Sequence, residues 1–206
     1  MHPHLTRRGL YAISDGPRPD LLAVVKAALH GGAAMLQYRD KTTDSARRAF
    51  EARALRELCA RFEVPLIVND DVELALAVGA DGVHLGEDDG DIAVARARLG
   101  AGAIIGASCY DTLARARQLA AAGADYLAFG AFFPSPTKPN ARRATLDLLR
   151  KAKPLGVPLV AIGGITPDNA PPLVEAGADF LAVISGVFAQ ADPEAAARRY
   201  AALYTK

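Results

Sequence analysis

Short, almost uninterrupted apolar runs alternate along this chain with longer stretches in which apolar residues return every three to four positions. The runs near residues 9 to 14, 34 to 38, 65 to 69, 82 to 85, 103 to 107, 125 to 130, 158 to 162 and 179 to 184 predict strands. The stretches between them predict helices. Over residues 44 to 62, for example, Phe50, Ala54, Leu58 and Phe62 form one stripe, with Arg47, Arg48, Glu51 and Arg56 mostly off it. Strands this short and apolar read as a parallel sheet covered by helices. Three phrases repeat the passage from helix to strand: Val78-Gly79-Ala80-Asp81, Ala122-Gly123-Ala124-Asp125 and Ala176-Gly177-Ala178-Asp179, with His30-Gly31-Gly32-Ala33 as a weaker copy. A glycine there can take the left-handed conformation that ends a helix. Their uneven spacing argues against a solenoid and for strand and helix units with loops of different length. An open doubly wound sheet would show Gly-x-Gly-x-x-Gly after the first strand, and none occurs. The expected fold is therefore α/β, a single (β/α)8 TIM barrel spanning residues 1 to 206.

Composition narrows the partners. The chain has 206 residues, 51% hydrophobic and 23% charged, which excludes disordered, collagen-like and coiled-coil classes. A net charge of +1 advertises neither nucleic acid nor a membrane, so small molecules are the expected partners. Cys59 and Cys109 provide no disulfide framework or thiolate zinc site and suit a reducing, cytoplasmic setting. No signal-peptide-length apolar run opens the chain, which reads as soluble and unprocessed. The sequence leaves monomer and homo-oligomer open.

In such a barrel chemistry gathers at the C-terminal ends of the strands, and here those ends are polar. The second carries Gln37, Arg39 and Lys41, the third Asn69, Asp70 and Asp71, the fourth His84, Glu87, Asp88 and Asp89, and the fifth Ser108. Phe132 to Pro139 follow the sixth, Gly163-Gly164 the seventh and Ser185-Gly186 the eighth. The last two turns are each expected to open a helix whose free N–H groups attract a monophosphate, with hydroxyl help from Ser135 and Thr137. Asp70 and Asp89 suit Mg²⁺, which typically takes one or two carboxylates. Asp71, Asp88 and Asp91 read rather as helix caps, and His84 as a hydrogen-bonded structural histidine. Arg39, Lys41 and Lys138 bring positive charge suited to a pyrophosphate. Gln37, Asn69 and Ser108 can recognise a flat heterocycle or orient phosphate oxygens. No nucleophile stands beside a base, so covalent catalysis is not indicated.

Gln37-Tyr38-Arg39-Asp40-Lys41, Val68-Asn69-Asp70, Gly82-Val83-His84-Leu85-Gly86, Ile105-Gly106-Ala107-Ser108, Pro134-Ser135-Pro136-Thr137-Lys138, Ile162-Gly163-Gly164-Ile165 and Val183-Ile184-Ser185 resemble, in order, the signatures of the thiamine-phosphate synthase family. The resemblance covers nearly the whole chain. It implies a transferase that joins 4-amino-2-methyl-5-hydroxymethylpyrimidine pyrophosphate to 4-methyl-5-(2-phosphoethyl)thiazole by Mg²⁺-assisted, dissociative loss of pyrophosphate. It also implies a pyrimidine-pyrophosphate site at Gln37, Tyr38, Arg39, Asp40, Lys41, Asn69, Ser108 and Lys138, within which Arg39, Lys41, Ser108 and Lys138 are the catalytic set. A thiazole-phosphate site follows at Ser135, Pro136, Thr137, Gly164, Ile184 and Ser185, and magnesium ligands at Asp70 and Asp89. The chain departs from the family at Glu87, commonly Gln, at Ser135, often Thr, and at Cys109-Tyr110, where His or Thr is frequent. The rival readings are a thiazole tautomerase, a noncatalytic thiamine-phosphate binder and, more distantly, a phosphate-binding barrel isomerase.

Overall fold

The computed structural model describes residues 2–134 and 142–205. Eight parallel strands, β1 Gly9–Ile13, β2 Ala33–Tyr38, β3 Leu66–Asn69, β4 Gly82–Leu85, β5 Ile104–Tyr110, β6 Tyr126–Phe129, β7 Leu159–Ile162 and β8 Phe180–Val183, follow one another round a closed barrel. Closure is made by β8 pairing with β1, Ala12 beside Val183. The helices α1 Leu21–His30, α2 Ser45–Arg61, α3 Val72–Val78, α4 Ile92–Leu99, α5 Leu113–Ala121, α6 Leu146–Ala152, α7 Pro171–Glu175, α8 Ser185–Phe188 and α9 Pro193–Ala201 lie between and after the strands. This is the expected (β/α)8 arrangement.

Strand alternation divides the apolar residues into two cores. Tyr11, Ile13, Met35, Ile67, Ile104, Tyr126, Val160 and Phe180 fill the lumen, with Leu5 of a short 3₁₀ helix among them. The intervening residues, such as Leu10, Leu36, Val68, Ile105, Leu127 and Leu181, pack outward against the helices. On α2 the buried face is Ala52, Leu55 and Cys59. The stripe expected from the sequence is rotated away from it, and Phe50 is 70% exposed. Polar neighbours explain the rotation: Glu51 of α2 accepts a 2.7 Å hydrogen bond from the buried Tyr38 hydroxyl, and Arg47 meets the buried carboxylate of Asp40 at 2.9 Å.

The repeated Gly-Ala-Asp phrase is a strand clamp. Gly79, Gly123 and Gly177 have positive φ and turn the chain out of the preceding helix. The aspartate then grips the strand before its own. Asp81 takes the N–H of Leu66 at 2.8 Å, Asp125 that of Ile105 at 2.8 Å and Asp179 that of Leu159 at 2.9 Å. Each aspartate's own N–H goes back to the carbonyl of the same residue. An arginine backs each carboxylate, Arg56, Arg96 and Arg8 respectively. The weaker fourth copy carries no aspartate, and there Ala34 lies close against Gly9.

Within the described residues no helix is long and apolar enough to cross a membrane. At Gly106 of β5 a side chain would fall on the ring of Tyr126 in the filled lumen. Gly106→Ala should therefore cost about 1–3 kcal/mol of stability by overpacking. Gly102→Ala, at an open position, should stay within about 0.5 kcal/mol, as surface substitutions do. Denaturant unfolding of the two variants checks the difference.

Candidate active site

Met35 and Gln37 take successive inward positions of β2. The same alternation continued past the strand's end gives Arg39 and Lys41 the mouth side, and Lys41 reaches Asp70 there. Tyr38 and Asp40 take the alternate, outward positions and are held by Glu51 and Arg47 of α2, so the structure does not bring these two to the mouth. Ser14, just after β1, fixes the start of this segment by taking the Arg39 N–H at 2.8 Å.

At the end of β3 the backbone turns left-handed at Asp70, φ 63°, a conformation that Asp tolerates better than most residues. Alternation from the inward Asn69 would otherwise point Asp70 outward; the turn keeps it at the mouth, where Asn69 Nδ2 reaches its Oδ2 at 2.6 Å and Lys41 pairs with the same oxygen. Asp89 stands within hydrogen-bond reach of Asp70 and accepts the Gly86 N–H at 2.9 Å. A Cβ at position 86 would strike the Asp89 carboxylate, so a larger residue there would displace that side chain. Burial and the Asp89 carboxylate raise the Asp70 pKa, with Lys41 opposing. Two hard carboxylates forced together fit a divalent cation of the Mg²⁺ type. Among the described residues no group of three or more His, Cys, Asp or Glu forms a fuller metal cage. Asp71 and Asp91, by contrast, cap α3 and α4, taking N–H groups of Leu74 and Ala93.

Below the mouth lies a buried polar chain that the sequence reading missed. Gln37, 2% exposed, reaches the Tyr11 hydroxyl, which meets that of Tyr126; His84 lies between Tyr126 and Ser108. Burial lowers the His84 pKa to about 4, so its imidazole is neutral at ordinary pH. Burial likewise pushes both tyrosines well above their usual range. Their inward strand positions, shared with Gln37 and His84, were the available signal. Arg115 and Arg142 were also missed. Arg115 Nε holds the Ser108 carbonyl at 2.8 Å, and Arg142 lies 4.7 Å above the Tyr110 ring while pairing with Glu87 at 3.3 Å. The charge of Glu87 is thus met by an arginine at the rim.

On the opposite arc, Gly163 and Gly164 both have positive φ, and the backbone after β6 is laid over them, Phe133 N–H on the Gly163 carbonyl at 2.9 Å. A side chain at Gly164 would collide with the carbonyls of Phe133 and Pro134. The N–H groups of Gly164 and Ile165 meet no backbone carbonyl among the described residues. The Gly-Gly turn does not open a helix as expected. A turn closed by Thr166 and Asn169 intervenes, Asn169 holds the Gly164 carbonyl at 3.1 Å, and α7 starts only at Pro171. After β8, Ile184 is the cap and Ser185 the first residue of α8, as expected. Ser135, Pro136, Thr137 and Lys138 lie outside the described residues.

Residues 10–187 match the family model described as thiamine monophosphate synthase. The chain is 60% identical over 200 residues to a thiamine-phosphate synthase of Azoarcus sp. (strain BH72), covering 96% of this chain and 97% of that one. It is 58% identical to that of Xanthomonas campestris pv. campestris (strain 8004), covering 97% of each. Among solved structures, thiamine phosphate pyrophosphorylase from Pyrococcus furiosus superposes with a TM-score of 0.87 at 37% identity, covering 97% of this chain and 96% of that one.

A carboxyl whose folded pKa is raised binds its proton more tightly when folded. Its contribution to stability therefore falls as pH climbs from the unfolded pKa through the folded one, and the penalty is complete above both. Asp70→Asn, which tolerates the left-handed turn, should raise the denaturation midpoint in metal-free buffer at neutral pH. The gain should vanish in acid below the ordinary carboxylate range. Unfolding titrations at several pH values check both halves.

Proposed function

The chain belongs to the thiamine monophosphate synthase family and is an enzyme of the transferase class, and from that premise we propose how its mouth joins 4-amino-2-methyl-5-hydroxymethylpyrimidine pyrophosphate to 4-methyl-5-(2-phosphoethyl)thiazole. The supporting observation is the division of the rim. Asp70, Asp89 and Lys41 crowd together beyond β2 to β4, while the Gly164 and Ser185 turns stand across the barrel beyond β7 and β8. One arc suits a metal-bound pyrophosphate and the other a monophosphate.

In this reading the pyrimidine methylene loses pyrophosphate first. The carbon–oxygen bond breaks with its electron pair going to the leaving group, and the ring amino group stabilises the cation left behind. The thiazole nitrogen then donates its lone pair to that cation, forming thiamine monophosphate. Asp70 and Asp89 would hold Mg²⁺, which when bound supplies charge neutralisation at the pyrophosphate. Arg39 and Lys41 bind pyrophosphate oxygens, as does Lys138 by its place in the sequence. Asn69 Nδ2 orients the Asp70 carboxylate. Gln37 and Ser108 face the pyrimidine and its leaving group. The backbone N–H groups at Gly164 and the hydroxyl of Ser185 anchor the thiazole phosphate, with Ile184 beneath and Ser135, Pro136 and Thr137 contributed by the loop after β6. Anchoring both partners turns a bimolecular encounter into an oriented one. The filled lumen closes the site to water from below. A thiazole tautomerase would need only the β7 and β8 arc, and the paired carboxylates across the barrel favour the two-substrate reaction. A cytoplasmic site of action agrees with Cys59 and Cys109, which are buried free thiols.

Purified protein given both substrates and Mg²⁺ should release pyrophosphate and form thiamine monophosphate; a protein that binds both and releases neither would overturn the reading. Asp70→Ala should lower turnover on the order of 10²- to 10³-fold, the scale for losing one preorganised electrostatic contact. Ser185→Ala should act mainly on the Michaelis constant for the thiazole phosphate, and an unaltered value would remove that residue from the phosphate site.

A further inference from the structure

The buried polar chain has a direction. Gln37 Nε2 lies 2.7 Å from Tyr11 Oη, which lies 2.8 Å from Tyr126 Oη; His84 Nδ1 is 2.9 Å from Tyr126 Oη and His84 Nε2 is 2.9 Å from Ser108 Oγ. Each tyrosine and the neutral imidazole has one proton to give. Tyr11 receives the Gln37 amide hydrogen. If it also received the Tyr126 proton, its own hydroxyl hydrogen would find no acceptor among the described residues, and a buried donor left unpaired is costly. Tyr11 therefore donates to Tyr126, and Tyr126 donates to His84 Nδ1. The imidazole proton is left on Nε2, where it is given to Ser108 Oγ.

We propose that Tyr126 and His84 are positioning residues that compel the Ser108 hydroxyl to donate toward the mouth, with the polarity set across the lumen by the amide of Gln37. This rests on the two-substrate reading of the mouth. Pyrophosphate oxygens only accept hydrogen bonds at neutral pH, so a serine serving the leaving group has to be a donor. Were the chain reversed, Ser108 would spend its proton on His84 and turn lone pairs toward an anion. The same polarity leaves Gln37 with its amide oxygen unengaged by the chain, an acceptor suited to the amino group of the pyrimidine. Both ends of one chain thus present what the two halves of the same substrate require. Gly106 belongs to the device, because any side chain there would displace the Tyr126 ring.

The tautomer is read directly by long-range ¹H–¹⁵N correlation on ¹⁵N-histidine-labelled protein without substrate, His84 being assigned by its loss in His84→Gln. The expected result is a proton on Nε2 and a bare Nδ1; a proton on Nδ1 would overturn the proposal. Tyr126→Phe should lower kcat about three- to tenfold, the scale of one neutral hydrogen bond, while the Michaelis constant for the thiazole phosphate holds. His84→Gln, whose amide nitrogen can still donate to Ser108, should retain more turnover than His84→Leu. A Tyr126→Phe enzyme with wild-type kcat contradicts the proposal, as does equal turnover in the two His84 variants. Should the lumen variants fail to fold, the wild-type tautomer decides alone. Failure of the wild-type protein to form thiamine monophosphate would sink the reading of the mouth, a result separate from the tautomer.

Discussion

A closed sheet of eight parallel strands leaves a lumen only wide enough for side chains, so any polar atom placed inside must find its partner there. Most of this lumen is apolar and needs none. Toward the mouth, however, Gln37, Tyr11, Tyr126, His84 and Ser108 form a layer whose members depend on one another. Tyr126 is central: its ring stacks on His84 with centroids 5.6 Å apart and meets Tyr11 edge to face at 5.8 Å, while its hydroxyl bonds to both. The layer is at once the upper limit of the core and the floor of the mouth, and it joins strands that are far apart in sequence.

Above that floor the rim is electrostatically divided. The β2 to β4 arc presses two carboxylates together with a lysine and asparagine beside them, an arrangement that burial makes unfavourable and a bound cation would relieve. The β7 and β8 arc, among the described residues, presents backbone rather than paired charges, shaped by two consecutive glycines with positive φ. Between the arcs, Arg142 stacks on Tyr110 and pairs with Glu87 and Asp111, tying the return of the loop after β6 to the ends of β4 and β5. Glu87, one of the chain's departures from its family's signatures, is thereby part of a rim clasp.

The strands and their order were legible because each is a short apolar run, three of them opened by glycine and aspartate, and the polar character of the mouth was legible from the strand ends. Side-chain direction was less legible. Tyr38 and Asp40 share a motif with Gln37, Arg39 and Lys41, yet alternation sends them to α2. Asp70 escapes the same rule only because its backbone turns left-handed, which no periodicity reveals. The buried face of α2 was misjudged because Arg47 and Glu51 answer polar atoms of β2 and its following turn, so the helix is oriented by ion pairs and hydrogen bonds as well as by apolar residues. The link between Tyr11 and Tyr126 spans most of the barrel's sequence and has no local trace beyond two tyrosines on apolar strands. The turn after Gly164 looked like a helix start because a glycine pair can open one; Asn169 instead closes a separate turn.

The aspartate clamps join strands in twos, β3 with β4, β5 with β6 and β7 with β8, and leave the seams between pairs to the sheet ladder and to ion pairs such as Arg8 with Asp179 and Lys41 with Asp70. The barrel is thus an assembly of cassettes, each sealed at its base. A chain divided between Leu85 and Ile92 would keep each aspartate with the strand N–H it holds and, of the backing arginines, part only Arg8 from Asp179, whereas a cut between Asn69 and Asp81 would sever one clamp outright. Fragment complementation and circular permutation should follow those seams, at the end of the barrel away from its polar mouth.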